Sequence, residues 1–302
     1  MKMLEQLIAQ GRVAARRARA RAPGSAASVR PTRIVLRLND FAVPDGWARA
    51  SGAPLDLDTW RALLVDFTQW LGPTRVTIAG GRPEASPLVE DLVRFANRLE
   101  CPTHLVLPGG LEPDRVDALV GRGLAAVTLR LPEPDADAAV REASFETLRL
   151  FRDARIDWER SLTLLMAVPL SYTPGTAREL SASARNFGAD GVLGCLATDR
   201  PAPMAAPATL QALGADERTP HPLAVVTGAP RPLPGGARAE VLSDGTLLVS
   251  SFGPPVGVLA AGGASGPLEL WGAADDALEA ARGMARPWDE IELAPAVLLS
   301  RR

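Results

Sequence analysis

The residues best placed to do chemistry follow apolar runs that have the character of buried strands. Gly80 and Gly81 follow one such run, and Gly109 and Gly110 follow the next. Glycine turns between a strand and a helix let backbone N–H groups approach an anionic ligand. Charged residues complete the set of ligand-binding candidates. Asp40 and Asp45 lie in the loop after the first apolar run, and Arg82 and Glu84 follow Gly80-Gly81. A small anion is the ligand class that these positions suit, and ordinary turn chemistry is the alternative interpretation.

The side chains that usually bind metals or act as nucleophiles are sparse. The chain holds two histidines, His104 and His221, which do not form a pair with metal-ligand spacing. His104 falls within a predicted strand, where a hydrogen-bonded core histidine is expected. The two cysteines, Cys101 and Cys195, lie far apart in the sequence and are predicted to be buried, inert thiols. Tyr172 is predicted to anchor a loop. We therefore expect no metal site and assign no catalytic residue.

Strands that alternate with helices must position these candidates. The predicted strands are Arg33–Leu38, Arg75–Ala79, Thr103–Leu107, Ala125–Leu131, Ser161–Val168 and Gly191–Leu196. The predicted helices are Asp58–Leu71, Pro87–Leu99, Glu112–Gly121, Arg141–Ala154 and Ala177–Phe187. This alternation predicts a parallel sheet with right-handed crossovers. The predicted fold class is α/β, a partial (β/α)6 barrel similar to a TIM barrel, in which functional residues gather at the carboxyl ends of the strands.

Composition changes divide the chain into four predicted segments. Residues 1–30 form an arginine-rich helix and a linker, residues 31–197 the barrel, residues 198–235 a proline-rich linker, and residues 236–302 a small C-terminal extension. In the extension, Ser243-Asp244-Gly245 between two apolar runs predicts a β-hairpin, residues 257–260 a further strand, and Asp275–Met284 a helix.

The N-terminal helix combines an apolar stripe with a cluster of arginines, which suits an acidic partner surface. A solvated, frayed helix is the alternative interpretation. The partner-binding candidates are Leu4, Leu7, Ile8, Arg12, Arg16, Arg17 and Arg19.

Composition limits the function classes. Apolar residues make up 47% of the chain, which suits a globular core, and the net charge of −2 gives no attraction to nucleic acid or to an anionic membrane. The sequence holds no apolar run of about 18 residues, so no transmembrane helix is expected. The N-terminus lacks the apolar middle of a secretory signal. The cytoplasm is the expected compartment, and nucleic acid is not an expected partner.

The order of the motifs resembles the radical SAM superfamily, in its form with a SPASM- or twitch-type C-terminal extension. Where family members have Gly-Gly-Glu-Pro after the second strand, this chain has Gly80-Gly81-Arg82-Pro83. Shorter similarities are Leu107-Pro108-Gly109 after the third strand, Val127–Leu131 with the later Ser144-Phe145, and Val241–Ser250 and Pro267–Trp271 in the extension. The resemblance implies a barrel that binds a [4Fe–4S] cluster and SAM at its mouth.

The chain departs from the family where those cofactors bind. The loop Asn39–Ser51, which in the family carries C-x3-C-x2-C, contains no cysteine, and a [4Fe–4S] cluster needs thiolate ligands at close spacing. Arg82 replaces the carboxylate that family members offer to the amino group of SAM, and a guanidinium cannot accept a hydrogen bond. Ser250 stands where an auxiliary-cluster cysteine is expected. We therefore expect that both the iron–sulfur cluster and SAM have been lost.

Two functional hypotheses follow. In the first, the chain is a degenerate, non-catalytic member of the superfamily, a pseudoenzyme. It would bind or scaffold a cysteine-complete radical SAM enzyme, and with it that enzyme's peptide substrate, in peptide or cofactor maturation. The N-terminal helix and the proline-rich Thr198–Gly235 would then dock the partner in a heteromeric complex. In the alternative, the chain is a cluster-independent barrel enzyme or a small-anion-binding protein that uses the barrel mouth.

Overall fold

The computed structural model describes residues 31–40, 48–79, 82–195, 237–249 and 255–259, with residues 208, 209, 212, 213, 267 and 270. The predicted N-terminal helix and its candidate partner residues lie outside the described residues, as do Asp45, Gly80, Gly81 and the predicted helix Asp275–Met284. The chain divides into two compact units. Unit 1 comprises residues 1–103 and 230–284, and unit 2 comprises residues 104–229 and 285–302. The four-segment division drawn from composition stays a prediction.

The described residues form nine strands and five α-helices. The strands are β1 (Pro31–Leu36), β2 (Arg75–Ile78), β3 (Thr103–Leu107), β4 (Ala126–Arg130), β5 (Thr163–Pro169), β6 (Gly191–Cys195), β7 (Ala237–Val241), β8 (Thr246–Leu248) and β9 (Gly257–Val258). The helices are α1 (Leu57–Leu71), α2 (Val89–Arg98), α3 (Pro113–Gly121), α4 (Ala138–Asp157) and α5 (Pro174–Asn186). A 3-10 turn, Pro83–Ala85, stands between β2 and α2.

In unit 1, β1 lies between two parallel neighbours. It pairs with β2 on one side and with β7 on the other, so that Ile34 is opposite both Val76 and Ala239. The hairpin predicted at Ser243-Asp244-Gly245 is confirmed, because β8 returns antiparallel to β7 with Val241 opposite Leu247. β9 then pairs antiparallel with β8. The C-terminal segment thus completes the sheet that the first strand begins.

Helix α1 has the apolar stripe that the sequence predicts, and Trp60, Leu63 and Phe67 on it are buried. The prediction that Asp58 caps this helix is wrong. The helix begins at Leu57, and the side chain of Asp56 accepts a hydrogen bond of 2.8 Å from the backbone N–H of Thr59. Two aspartates two residues apart both satisfy the capping pattern, and the apolar stripe alone does not decide which one precedes the first turn.

In unit 2, β4 pairs in parallel with β3 and β5, and β5 pairs in parallel with β6. Strand–helix alternation with parallel strands confirms the predicted α/β class and the partial-barrel arrangement. Helix α4 begins earlier than the predicted Arg141, because Asp137 caps it by accepting from the N–H of Ala139 at 3.0 Å. Residues 138–140 are exposed and add nothing to the apolar stripe used for the prediction. Within the described residues, no helix is both long enough and apolar enough to span a membrane.

Candidate functional site

A completely buried arginine stands directly after β1. The Nε of Arg37 lies 3.5 Å from Oδ1 of Asp40, and its Nη1 lies 3.7 Å from Oε1 of Glu240 on β7. Its Nη2 donates to the carbonyl of Ala48, and its backbone N–H donates to the carbonyl of Val241 at 2.9 Å. Burial of a guanidinium is costly unless it is paired and hydrogen-bonded. Arg37 therefore ties together the end of β1, the strand β7 and the chain at Ala48.

Asp40, a predicted ligand-binding residue, is engaged within the protein. One carboxylate oxygen faces Arg37, and the other accepts a hydrogen bond of 2.7 Å from the N–H of Ala50. The side chain of Asp40 is only 21% exposed. The carboxylate thus joins the two ends of the loop Asn39–Ser51.

A second carboxylate holds the same loop from the hairpin side. Oδ2 of Asp244 accepts from the N–H groups of Ser51 and Gly52 at 2.8 and 2.9 Å, and Oδ1 accepts from the N–H of Thr246 at 3.0 Å. Burial acts to raise the pKa of Asp244, but these hydrogen bonds outweigh it and lower the pKa below its usual value. Gly52 leaves space for the contact, since a Cβ there would lie 3.2 Å from the Cβ of Asp244.

The turn after β2 places an arginine above a buried glutamate. Asn39 holds the backbone of Arg82 from both sides, because its Nδ2 donates to the carbonyl at 2.7 Å and its Oδ1 accepts from the N–H at 3.0 Å. The Nε of Arg82 donates to Oε1 of Glu84 at 2.7 Å. The Arg82 side chain is 55% exposed and that of Glu84 only 7%. The group presented outward at this turn is therefore a positioned guanidinium.

The second glycine turn belongs to unit 2 and packs against α4. Gly109 has φ of 108°, and a Cβ on it would lie 2.7 Å from the Cα of Ser144. Ser144 Oγ donates to the carbonyl of Pro108 at 2.6 Å, while the N–H of Gly110 donates to Oγ1 of Thr147 at 2.8 Å. Close packing accounts for Gly109, a positive φ of 79° accounts for Gly110, and the Gly110 N–H is already used. The candidates Asp40, Arg82 and Glu84 lie in unit 1, so one shared ligand site stays a prediction.

The remaining chemistry-bearing residues are part of the core, as predicted. His104 is buried, and its Nε2 lies 2.8 Å from Oγ1 of Thr128. Cys101 and Cys195 are buried thiols. Tyr172 anchors the loop after β5, since its hydroxyl donates to the carbonyl of Pro132 at 3.0 Å. Across the described residues, no group of three or more His, Cys, Asp or Glu side chains is arranged to hold a metal ion.

Arg37, Glu240 and Asp244 are not among the site residues predicted from the sequence. A usable signal was present for the first two, because each is a charged residue inside an apolar run of the sequence, Ile34-Val35-Leu36-Arg37-Leu38 and Ala239-Glu240-Val241-Leu242. Charges in such runs need a partner of opposite sign. What the sequence lacks is any indication that these two strands are neighbours.

Comparison with known proteins places this geometry in context. No family model matches the chain. A PqqA peptide cyclase of Streptomyces rochei is 35% identical over 101 residues, which cover 32% of this chain and 28% of the cyclase. The chain thus matches less than a third of that relative.

Solved structures share the fold over most of the chain. Streptococcus suis SuiB bound to S-adenosylmethionine has a TM-score of 0.61 at 11% identity, covering 85% of this chain and 66% of SuiB. SuiB bound to its precursor peptide SuiA has a TM-score of 0.60 at 12% identity, covering 85% of this chain and 68% of that chain. The enzyme anSMEcpe with bound AdoMet has a TM-score of 0.53 at 11% identity, covering 83% and 84%. At these identities the likeness establishes the fold.

Proposed function

We propose that this protein keeps the barrel of the radical SAM superfamily without its redox cofactors and acts as a binding partner of a cysteine-complete radical SAM enzyme in peptide maturation. The observation that carries the proposal is the charged network of Arg37, Asp40 and Glu240 at the end of β1. The fold shared with SuiB and the partial identity to a peptide cyclase support the link to peptide chemistry.

The network adjoins the loop Asn39–Ser51, which the resemblance equates with the cluster loop. Cluster iron needs thiolate ligands, whereas the side chains described there are a guanidinium, two carboxylates and the amide of Asn39. The sequence between Asn39 and Ser51 adds no cysteine. These residues do not fit an iron–sulfur cluster.

The turn after β2 is equally unsuited to the amino group of SAM. The outward group is the Arg82 guanidinium, which offers donors alone, and Oε1 of Glu84 already accepts from it. A charge-assisted hydrogen bond contributes on the order of 1.5–3 kcal/mol, so its loss weakens binding roughly tenfold to a hundredfold. We expect calorimetry to detect no SAM binding below millimolar concentration.

The decisive experiment tests the partner and the cofactor separately. The full-length chain is co-expressed with a cysteine-complete radical SAM enzyme of the same host, and the complex is measured by size-exclusion chromatography with mass determination. We expect a heteromeric complex at physiological salt, weakened when residues 1–22 are removed. If the two proteins elute separately, the partner role fails.

The cofactor arm uses anaerobic reconstitution of the purified chain followed by iron analysis. We expect no stoichiometric iron and no cluster absorbance band, because thiolate ligands are missing from the loop. Stoichiometric iron, or micromolar affinity for SAM, would overturn the non-catalytic assignment even if a complex forms.

A further inference from the structure

The turn after β2 fixes one arginine at both its backbone and its side chain. The amide of Asn39 holds the backbone of Arg82 from two sides, and the N–H of Ala85 donates to the same Arg82 carbonyl at 2.9 Å. The side chain is oriented separately, because its Nε donates to Oε1 of the buried Glu84 at 2.7 Å. Arg82 therefore loses much of its rotamer freedom when the chain folds, and a ligand that binds it does not have to impose that order.

The contact with Glu84 leaves the outer edge of the guanidinium to other acceptors. Glu84 engages Nε, so Nη1 and Nη2 carry the remaining donors, and the Arg82 side chain is 55% exposed. Asp40, the carboxylate at the neighbouring end of β1, is already engaged by Arg37 and by the N–H of Ala50. Within the described part of unit 1, Glu84 is thus the one carboxylate that forms an ion pair with Arg82.

Shape and charge together select the ligand class. Two N–H donors in one plane match the two oxygens of a carboxylate. Glu84 already balances part of the single positive charge of Arg82, so a monoanion fits the local charge better than a dianion does. The location is also suitable, because β1 and β2 are parallel neighbours and ligands of parallel α/β sheets bind at the carboxyl ends of the strands.

We propose that Arg82 is a carboxylate-binding residue at the carboxyl ends of β1 and β2, and that Asn39 and Glu84 position it. The resemblance implies a protein carboxylate and a ligand ammonium at this turn, and the proposal reverses both charges. The ligand is a monocarboxylate, carried by a small acid or by the C-terminus of a peptide. The peptide source rests on the proposed function, whereas the site itself does not.

The test follows side-chain Nε–H signals by NMR in the full-length chain labelled with ¹⁵N-arginine. Arg82→Lys assigns the Arg82 signal by its disappearance, and Arg82→Gln assigns it if the first variant does not fold. We expect sodium acetate to shift this signal saturably at constant ionic strength, with sodium chloride as the reference salt. Sodium sulfate should bind no more tightly than acetate.

Two further probes distinguish the sources of the carboxylate. Acetylglycylglycine carries a free C-terminal carboxylate, and its C-terminal amide carries none. If the ligand is a peptide, acetylglycylglycine should bind more tightly than acetate and the amide should leave the Arg82 signal unmoved. Equal affinity for acetate and acetylglycylglycine would overturn the peptide source, and an equal response to the amide would overturn the carboxylate site.

Asn39→Leu tests the positioning, since it keeps Arg82 and every charge but removes two hydrogen bonds to the backbone. We expect saturation of the Arg82 signal to need about threefold more acetate, or more. Arg94→Lys is the matched control, because Arg94 is a partly exposed arginine in an ion pair on α2, and it should leave the titration unchanged.

The site is overturned if the Arg82 signal responds to acetate no differently than to chloride, or if sulfate binds more tightly than acetate. The positioning role is overturned if Asn39→Leu responds like Arg94→Lys. The assay contains no partner enzyme, so failure of this site and failure of the heteromeric complex are distinguishable.

Discussion

Replacement of Arg37 by methionine is the sharpest perturbation that the structure offers. Methionine retains an unbranched apolar side chain but removes the cation that faces Asp40 and Glu240 at 3.5 and 3.7 Å. Glu240 is 1% exposed and cannot reach bulk water without local opening. Removal of one partner of a buried ion pair costs about 3–5 kcal/mol. That is a large part of the roughly 5–15 kcal/mol that stabilises a domain.

Because the loss of stability is local to unit 1, the assay is amide hydrogen exchange followed by mass spectrometry. Exchange in β1 and β7 should be faster by about a hundredfold to a few thousandfold, since about 1.4 kcal/mol corresponds to a factor of ten. Peptides from β4 and β5 report on unit 2 in the same sample. A second change, Glu240→Gln, removes the stranded charge and should slow exchange again by at least tenfold.

The matched control is Arg94→Met. Arg94 lies 2.6 Å from Asp91, but its side chain is 45% exposed, so this pair is worth less than about 1 kcal/mol. If Arg37→Met changes exchange no more than this control, or if Glu240→Gln gives no rescue, the buried network does not hold the end of β1. The support that it gives to the proposed function would then be lost.

Two further predictions concern the hairpin and the unit 2 turn. Asp244→Ala should cost about 1–3 kcal/mol in urea denaturation at pH 7, because three N–H groups lose an acceptor that is partly solvated. Since the native pKa of Asp244 is lowered from 3.8, its contribution is present above pH 3.8 and is lost as the pH falls through the native value. An equal effect of the variant at pH 7 and pH 2 would contradict this. Gly109→Ala should cost more than about 2 kcal/mol, because a left-handed φ of 108° is combined with a Cβ 2.7 Å from the Ser144 backbone. Gly110→Ala, with φ of 79° and nothing within 4 Å of a Cβ there, should cost only about 1 kcal/mol in the same urea denaturation, and equal losses for the two variants would refute the packing argument.

The sequence was most informative where local pattern and burial coincide. The run Thr103–Leu107 is bracketed by Pro102 and Pro108, and β3 has these bounds in the structure. The apolar stripe of Trp60, Leu63 and Phe67 likewise identified α1, because a period of 3.6 reports directly which face is buried. The α/β class follows from such elements in succession.

The candidate site was less predictable, because its contacts join residues far apart in the sequence. No residue near Arg37 in the sequence indicates that Glu240 is its partner. No residue near Ser51 indicates that Asp244 accepts its hydrogen bond. The glycine turns show the converse difficulty, because their local pattern is clear but has more than one structural meaning. The Gly109-Gly110 pair satisfies the pattern of an anion cradle, but its backbone is used to approach α4 closely. Local patterns do not distinguish a turn that binds from one that packs.

The parallel pairing of β1 with β7 also bears on how the chain folds during synthesis. About two hundred residues separate the two strands, and a ribosome adds roughly 5–20 residues per second. One edge of β1 therefore stays unpaired for about 10–40 s. During that time residues 104–229 of unit 2 leave the ribosome. The nascent chain carries an open apolar strand edge during that interval, which is a site for chaperone capture or misassembly. The first strand to leave the ribosome in this sheet is thus among the last to be fully paired.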